Sequence, residues 1–350
     1  MKLFVILLFA ATYVAMIALP KWRYLVALGS AAIMIVSGAL PVTEAFGQID
    51  WNVLMMLAGT MGTVSLFIAS KMPERMADLL LKKTPNILWV AVALSVFAGL
   101  ISAFVDNVAT VLMVAPVALA IATKLGTSPI PLLICIAVSS NLQGAATLVG
   151  DTTSIMLGGA ADMNFMDFIF MDGKLSIFWA VELGALATVP VIMFIFRKER
   201  GTVTVGEPAK VEDYVPSCLL LGTVVLLIAA SFLPNRPALT NGFICMGVFV
   251  IGILYTLICK KSSERAKNAF KEIDFETILL LAGLFIVIGS LTYNGIIDDI
   301  SQLLVNLGGS NLFLMYSLIP LVISSTSTSH GANEIVSSMT RSSAAISENS

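Results

Sequence analysis

The chain has 350 residues, of which 58% are hydrophobic and 12% are charged, with a formal net charge of -2 at pH 7. Its mean hydropathy is +0.95, and so low a charged fraction excludes an ordinary soluble domain, in which about a quarter of the residues are charged. The net charge supplies no basic field for nucleic acid. These values predict an integral membrane protein of the all-α polytopic class, with the lipid bilayer and no nucleic acid among its partners.

Residue types that support metal binding or catalysis are scarce in this chain. The four cysteines have no CxxC spacing, and the single histidine, His330, lies in a polar tail. No GxSxG or HExxH sequence places a nucleophile beside a base. We therefore expect no metal site, no cofactor beyond a coupling Na+ or H+, and no enzymatic activity. An intramembrane enzyme is the most distant alternative.

Apolar segments of the length that spans a bilayer recur along the chain. The first, residues 3–19, follows Lys2 as a signal peptide would, but it exceeds the usual apolar region of about 7 to 15 residues. We interpret it as the first of ten or eleven transmembrane helices. Whether 86–105 and 108–123 are two passes, or one pass and a re-entrant hairpin, is left open. The predicted spans are 3–19, 24–40, 51–70, 86–105, 108–123, 129–148, 175–196, 216–233, 239–259, 274–293 and 311–323.

Basic residues are concentrated in three loops, which the positive-inside bias places in the cytoplasm. The segments 20–23 and 42–50 then fall inside and outside, respectively. We therefore expect the N-terminus to face outward in a prokaryotic-type cell (inner) membrane. The basic residues of the three loops are Lys71, Arg75, Lys82 and Lys83; Arg197, Lys198 and Arg200; and Lys260, Lys261, Arg265, Lys267 and Lys271.

Two segments of the chain are similar and indicate an internal duplication. AFGQIDWNVLMMLAG at 45–59 and AFKEIDFETILLLAG at 269–283 share seven of fifteen residues at a constant offset of 224. The flanking charges predict that the first copy enters the membrane from outside and the second from inside. Inverted repeats of this kind are a recurring plan of secondary transporters. A chance likeness between two apolar helices is the alternative.

The duplication predicts how the chain is divided. A membrane transporter domain is expected at 1–323, and a polar, disordered tail is expected at 324–350. Within the transporter domain we predict a first repeat at 42–196, an incomplete second repeat at 266–323, and cytoplasmic loops at 197–215 and 260–273.

The first polar interruption of the apolar sequence is SAFVDNVAT. It places Ser102, Asp106, Asn107 and Thr110 within nine residues, ahead of Pro116. On an unbroken helix, Asp106 and Thr110 would share a face with Ser102 and line one polar stripe. An ordinary solvated turn between two spans is the alternative.

The second interruption is SSNLQGAATLVGDTTSIMLGG at 139–159. Glycines next to short polar side chains allow a helix to unwind, and the freed backbone groups can then bind ions. A loop with a helix cap at Gly150, Asp151 and Thr152 is the alternative.

A carboxylate within a bilayer costs about 2.5 to 3.5 kcal/mol on insertion scales and usually faces a cavity, an ion or a partner. Asp106, Asp151 and Glu182 are therefore the candidate functional acids. Glu182 is assigned to a proton or ion relay, with an interhelical hydrogen bond as its alternative role.

These motifs resemble those of the ion-transporter superfamily. That group comprises citrate-transporter-like permeases, arsenical pump membrane subunits, D-type sodium/proton antiporters and the melanosomal P protein. The likeness covers residues 20 to 320 and rests on SAFVDNVATVLMVAPV (102–117) and GDTTSIMLGGAADMNFMDF (150–168), with FGQIDWNVLMMLAG (46–59) in support.

The resemblance implies a carrier with two inverted halves, each giving a re-entrant hairpin and a broken helix to a central site. Asp106 or Asp151 would bind a cation, with Na+ at Asp106 and Asn107, or take up a proton and so ease the loading of an anion. The implied site residues are Ser102, Asp106, Asn107 and Thr110 from the hairpin and Asn141, Gly144, Thr147, Gly150, Asp151, Thr152 and Thr153 from the loop.

The expected function is secondary active transport, as a permease, of a small anion such as citrate, a dicarboxylate or arsenite, coupled to H+ or Na+. A Na+/H+ antiporter of the same superfamily and a non-transporting membrane remnant are the alternatives. The sequence does not fix the oligomeric state, and a homodimer is one expectation.

The second half departs from the pattern. The counterpart of residues 102–107 falls at 326–331, where the sequence reads TSTSHG, and the chain is serine-rich from Ser324. The second D-N motif is absent. We interpret this change as a truncated or frame-shifted product, which would lack half of its binding site.

Overall fold

The computed structural model describes residues 1–82, 84, 86–125, 128–197, 210–233, 237–297 and 299. Within this part of the chain it contains fourteen α-helices and one β-hairpin. The helices are α1 (Lys2–Ala18), α2 (Arg23–Val36), α3 (Val42–Ala45), α4 (Trp51–Ala69), α5 (Met72–Leu81), α6 (Ile87–Ser102), α7 (Asn107–Leu125), α8 (Ile130–Gly144), α9 (Thr152–Ala160), α10 (Ile177–Ile195), α11 (Val215–Ser231), α12 (Thr240–Ile258), α13 (Ser263–Lys271) and α14 (Phe275–Tyr293); the antiparallel strands are β1 (Phe170–Met171) and β2 (Lys174–Leu175).

The predicted all-α polytopic membrane fold is confirmed. Each of the first ten predicted spans coincides with a helix, namely α1, α2, α4, α6, α7, α8, α10, α11, α12 and α14. The predicted span 311–323, the tail 324–350 and the TSTSHG segment at 326–331 lie outside the described residues.

The helices differ in whether they can cross a bilayer alone. Among the described residues, α4, α10, α12 and the continuous stretch Ser263–Tyr293 are long and apolar enough to do so, and the pair α1 and α2, bent by 116°, would make a fifth span. The apolar helices α6, α8 and α11 are shorter, and α6 and α8 end at the two polar interruptions. The fold therefore mixes full-length and interrupted helices.

The two similar segments have the same local structure. Asp50 and Asp274 cap α4 and α14, accepting hydrogen bonds from the amides of Val53 and Thr277 at 3.0 Å each. An N-terminal aspartate cap satisfies an amide that otherwise has no partner within the helix. The shared Ile-Asp pair thus sets the start of both helices.

Gly59 of α4 and Gly283 of α14 occupy equivalent positions in the two similar segments, and each lies where its helix closely crosses another helix. A Cβ atom on Gly59 would lie 2.4 Å from the carbonyl carbon of Cys245 in α12, and one on Gly283 would lie 2.8 Å from that of Ala27 in α2. Only a residue without a side chain permits such close approach of two backbones. Helix α4 therefore packs on α12, and α14 packs on α2.

The outer helices complete this exchange of partners, in which a helix from one half of the chain packs on a helix from the other half. Helix α11 lies beside α12 and α4, and α1 lies beside α2 and α14. Helices α1, α2 and α4 thus correspond in their packing to α11, α12 and α14. Each half of this core is completed by helices of the other half.

Three basic loops meet at one end of the core, around the segment that precedes α11. Glu212 pairs with Lys71 at 3.0 Å and with Arg265, and its amide donates to the carbonyl of Ser70. The side chain of Asp213, which is 9% exposed, lies 3.3 Å from Lys260 Nζ. Because α4 ends and α13 begins beside Glu212, α4 and α14 run in opposite directions.

The segments predicted for the outer side also lie together. Lys2 Nζ is 2.6 Å from Asp299 Oδ2, and Asn294 Nδ2 donates to the carbonyl oxygen of Ala39 at 2.8 Å. The loops predicted to lie on the same side of the membrane therefore contact one another.

Alanine at Gly59 or Gly283 is expected to lower the free energy of unfolding by about 1 to 3 kcal/mol, the usual cost of an overpacked core. The added methyl group would push apart two backbones already in contact. The measurement is detergent-micelle unfolding followed by circular dichroism. Gly29→Ala in α2 and Gly247→Ala in α12 are matched controls, since nothing lies within 4 Å of either added atom. Equal midpoints for all four variants would contradict the tight crossings.

The cluster around Glu212 should make stability depend on pH. Lys71 and, to a smaller extent, Arg265 hold the pKa of Glu212 below its ordinary value. A carboxyl group with a lowered pKa in the folded protein stabilises it above the ordinary carboxyl pKa, and this contribution disappears as the pH falls through the lowered value.

Glu212→Gln is therefore expected to unfold more readily than the unmodified chain at pH 7, with the difference shrinking toward pH 3. Unfolding midpoints measured across this range test the expectation. The control is Glu264→Gln in the first turn of α13. A Glu212→Gln difference that stays constant with pH would rule out the ionic contribution.

Candidate functional site

The first polar interruption is a true break between two helices. Helix α6 ends at Ser102 and α7 begins at Asn107. Asp106 Oδ2 accepts hydrogen bonds from the amides of Val108 at 3.0 Å and Ala109 at 3.2 Å. Asp106 is therefore the cap of α7, and the unbroken stripe expected from Ser102 to Thr110 does not form.

The second interruption is also a break, and it interlocks with the first. Helix α8 ends at Gly144 and α9 begins at Thr152. The Thr147 hydroxyl, on the loop between them, donates to the carbonyl oxygen of Ala103 in the first break. A Cβ atom on Gly150 would lie 2.8 Å from the carbonyl oxygens of Ser102 and Ala103. The absence of a side chain at Gly150 lets the two loops touch.

A chain of hydrogen bonds crosses from the first break to α8. Ser140 Oγ donates to Ser102 Oγ at 3.0 Å, and Ser102 Oγ donates to Asn107 Oδ1 at 2.6 Å. Asn107 Nδ2 then donates to Asn141 Oδ1 at 3.1 Å. The amide of Asn107 is thereby fixed in orientation at the start of α7.

Gly144 provides the space for this amide. A Cβ atom at that position would lie 2.1 Å from Asn107 Oδ1. No side chain is tolerated there without displacing Asn107. The glycine is thus required by a close contact between a backbone and a polar side chain rather than by an unusual φ.

A small pocket opens between the two breaks and α4. Its charged lining residues, Asp106 and Asp151, are both acidic. The full lining comprises Leu57, Thr60, Met61, Val64, Phe104, Asp106, Val149, Gly150, Asp151, Thr152 and Ile155. Two carboxylates without a basic residue in the lining form an environment that favours a cation.

Asp151 occupies the cap position of α9 without capping it. Its side chain accepts no hydrogen bond from the backbone amides of the first turn, and Asp151 Oδ2 instead accepts from the side-chain hydroxyl of Thr153 at 2.8 Å. This carboxylate therefore remains available to a ligand in the pocket.

The structure brings most of the predicted site residues to the two breaks. Asp106, Gly150, Asp151 and Thr152 line the pocket, while Ser102, Asn107, Asn141 and Gly144 form the adjoining network. Thr110 is not among the pocket-lining residues: it is fully buried one turn into α7, and its hydroxyl is 3.5 Å from the carbonyl of Val105 in the first break.

Glu182 is also separate from the pocket. It lies in α10, where its Oε2 accepts from Gln143 Nε2 at 3.3 Å. This hydrogen bond joins α10 to α8.

Two residues of the site were not predicted from the sequence. Ser140 is the donor that orients Ser102, and Thr60 of α4 lines the pocket. Ser140 adjoins Asn141 in the SSN sequence, which could have indicated it. Thr60 lies within the AGTMGT stretch of a helix that reads as uniformly apolar, and only the tertiary structure places it at the breaks.

The interrupted helices α6 to α9, the pocket with two carboxylates beside them, and the packing of α4 on α12 and of α14 on α2 are features of a membrane transporter. The sequence profile of the citrate transporter family matches residues 5–348, and the chain belongs to this family. The resemblance drawn from the two polar motifs is thereby confirmed.

The chain is similar to several curated proteins over most of its length. It is 28% identical to an uncharacterized transporter of Mycobacterium tuberculosis over 335 residues, which cover 91% of this chain and 75% of that protein. It is 29% identical to the 46 kDa membrane protein of Mycobacterium leprae, covering 90% and 74%. It is 26% identical to the magnetosome protein MamN of Magnetospirillum gryphiswaldense, covering 83% and 67%. These likenesses agree with a transporter.

Thr147→Val is expected to destabilise the protein by about 1 to 3 kcal/mol, because the buried carbonyl of Ala103 loses its donor. The side chain keeps its shape, so packing is unchanged. Thr123→Val is the control, since that exposed threonine bonds only to a carbonyl of its own helix. Unfolding midpoints of the two variants test the expectation. Equal values would show that the loops do not depend on this bond.

Proposed function

We propose that this membrane transporter is a secondary active carrier of a small organic anion, of the citrate or dicarboxylate class, coupled to H+ or Na+. The observation that carries the proposal is the meeting of two helix breaks at one pocket that contains two carboxylates. Broken helices near the centre of the membrane are where such carriers bind substrate and coupling ion.

The cation is assigned to the pocket beside Asp106 and Asp151. Two carboxylates that share a low-dielectric pocket repel each other, and a bound Na+ or proton relieves this repulsion. Carboxylate and hydroxyl oxygens are suitable ligands for a hard cation. Thr152 contributes a hydroxyl-bearing side chain to the same lining.

The anion is assigned to the positions next to the bound cation. Helix α9 begins at the second break with its first amides not capped by a side chain, and the first amides of a helix favour negative charge. The pocket alone is too acidic for an anion, so cation binding must come first or together with it. This order couples the two fluxes. Arsenite is a further candidate cargo.

A Na+/H+ antiporter is the second candidate function. The acidic pocket favours it, because two carboxylates with no basic residue among the lining residues can exchange a sodium ion for protons without any anion. The two candidates differ in whether an organic anion moves with the cation.

Transport into proteoliposomes distinguishes these functions. Uptake of labelled citrate, succinate and arsenite, and flux of Na+, are measured with the H+ and Na+ gradients collapsed one at a time. Gradient-dependent citrate or succinate uptake supports the carrier, and Na+ flux in the absence of any anion supports the antiporter. No flux from correctly inserted protein would favour a non-transporting remnant.

Asp106→Asn is expected to abolish gradient-driven flux while leaving the free energy of unfolding nearly unchanged. Asparagine caps a helix as well as aspartate does, so the substitution removes the charge and keeps the cap. Flux and unfolding are measured on the same preparation. Asp172→Asn is the control, because that residue lies in the β-hairpin turn at φ +52, which asparagine also adopts. Retained flux in Asp106→Asn would exclude Asp106 as the ion ligand.

A further inference from the structure

Glu182 is a carboxylate in an otherwise apolar helix. Helix α10 packs against α6 and α8, and it exposes large apolar residues such as Leu183 and Leu186. Glu182 itself is partly buried, on the side that meets α8. A membrane carboxylate normally has a partner or a function.

Gln143, the partner of Glu182, makes a hydrogen bond with only one of the two polar atoms of its side-chain amide. Gln143 is 6% exposed, and its Nε2 donates to Glu182 Oε2 at 3.3 Å. Its Oε1 is buried without a hydrogen-bond donor. Buried polar atoms are almost always paired, so an orphaned acceptor beside a carboxyl group requires an explanation.

A proton on Glu182 would supply the missing donor. A protonated carboxyl group has one O–H donor and still accepts at its other oxygen. A carboxylic acid and a primary amide can therefore form two hydrogen bonds side by side. The bond from Gln143 Nε2 to Glu182 Oε2 is one of them, and a bond from Glu182 Oε1–H to Gln143 Oε1 would be the other.

We propose that Glu182 and Gln143 form a proton-binding site, in which the proton on Glu182 Oε1 is shared with the Oε1 atom of Gln143. The proton comes from water on one side of the membrane and returns to water on the other, with no other bond made or broken. The site is separate from the pocket at Asp106 and Asp151.

The surroundings contain few groups that could compete for this proton. Helices α6 and α10 contribute no other titratable side chain, and α8 contributes only the buried Cys135. The two breaks, which also pack against α10, carry Asp106 and Asp151. Glu182 is therefore the one carboxyl within this three-helix packing of α6, α8 and α10.

The position of Gln143 links the site to the pocket. It immediately precedes Gly144, against which the Asn107 amide packs. A change of protonation at Glu182 alters the hydrogen bonding of the last turn of α8, where the second break begins. This coupling role deepens the proposed carrier function and rests on it, whereas proton binding itself does not.

Infrared difference spectroscopy of the reconstituted protein tests proton binding without any transport. Titration with pH is expected to reveal the carbonyl band of a protonated carboxyl group that Glu182→Gln loses. Glu182→Asp should retain a shifted band. Glu276→Gln, an exposed glutamate of α14, is the matched control and should retain the band unchanged. A spectrum of Glu182→Gln identical to that of the unmodified chain would overturn the proposal.

Citrate uptake measured as a function of pH tests the coupling. Uptake by the unmodified chain is expected to fall as the pH rises. Uptake by Glu182→Gln should not depend on pH in this way, whereas uptake by Glu182→Asp should keep the dependence. An unchanged pH profile in Glu182→Gln would overturn the coupling role. If no variant takes up citrate but the band is still lost in Glu182→Gln, the carrier function fails while the proton site stands.

Discussion

The structure around the pocket depends on one constraint: a backbone carbonyl freed inside an apolar environment must find a donor within the protein. Ending α6 at Ser102 frees the carbonyl of Ala103, and Thr147 from the second break supplies its donor. Gly150 allows the approach, because any side chain there would strike the carbonyls of the first break. The two breaks therefore hold each other in contact, and Asp106 and Asp151 line the same pocket.

The same constraint explains why Asp106 serves two purposes. Its Oδ2 atom binds two amides of α7, which holds the carboxylate at the edge of the pocket. Asp151, by contrast, leaves the amides of α9 uncapped by its side chain. The pocket thus combines one acid that is tied to a helix and one that is free to respond to a ligand. In the proposed carrier, such unequal partners would suit the loading and release of an ion.

Sequence reasoning succeeded where residue type alone carries the signal. The Ile-Asp pairs predicted two equivalent helix starts, and the glycines next to short polar residues predicted the second break. The unbroken polar stripe expected from Ser102 to Thr110 was wrong, because the chain breaks between Ser102 and Asp106 and the helical spacing does not continue across that break. Sequence reasoning could not find Thr60, whose role arises from α4 meeting a loop nearly a hundred residues away. Nor could it assign a partner to Glu182, since Gln143 is defined as its neighbour only by the packing of α8 against α10.

The exchange of partners between the halves also governs how the protein is made. Asn52 at the start of α4 accepts a hydrogen bond from Gly242 of α12, 190 residues later in the chain. The glycine face of α4 enters the membrane long before α12 is synthesised, and it stays without its final partner until then. Assembly of the core is therefore a late event dominated by contacts distant in sequence, which are slow to form. During that interval, the glycine face of α4 in the nascent first half is exposed to lipid, to insertion machinery and to other unfinished chains.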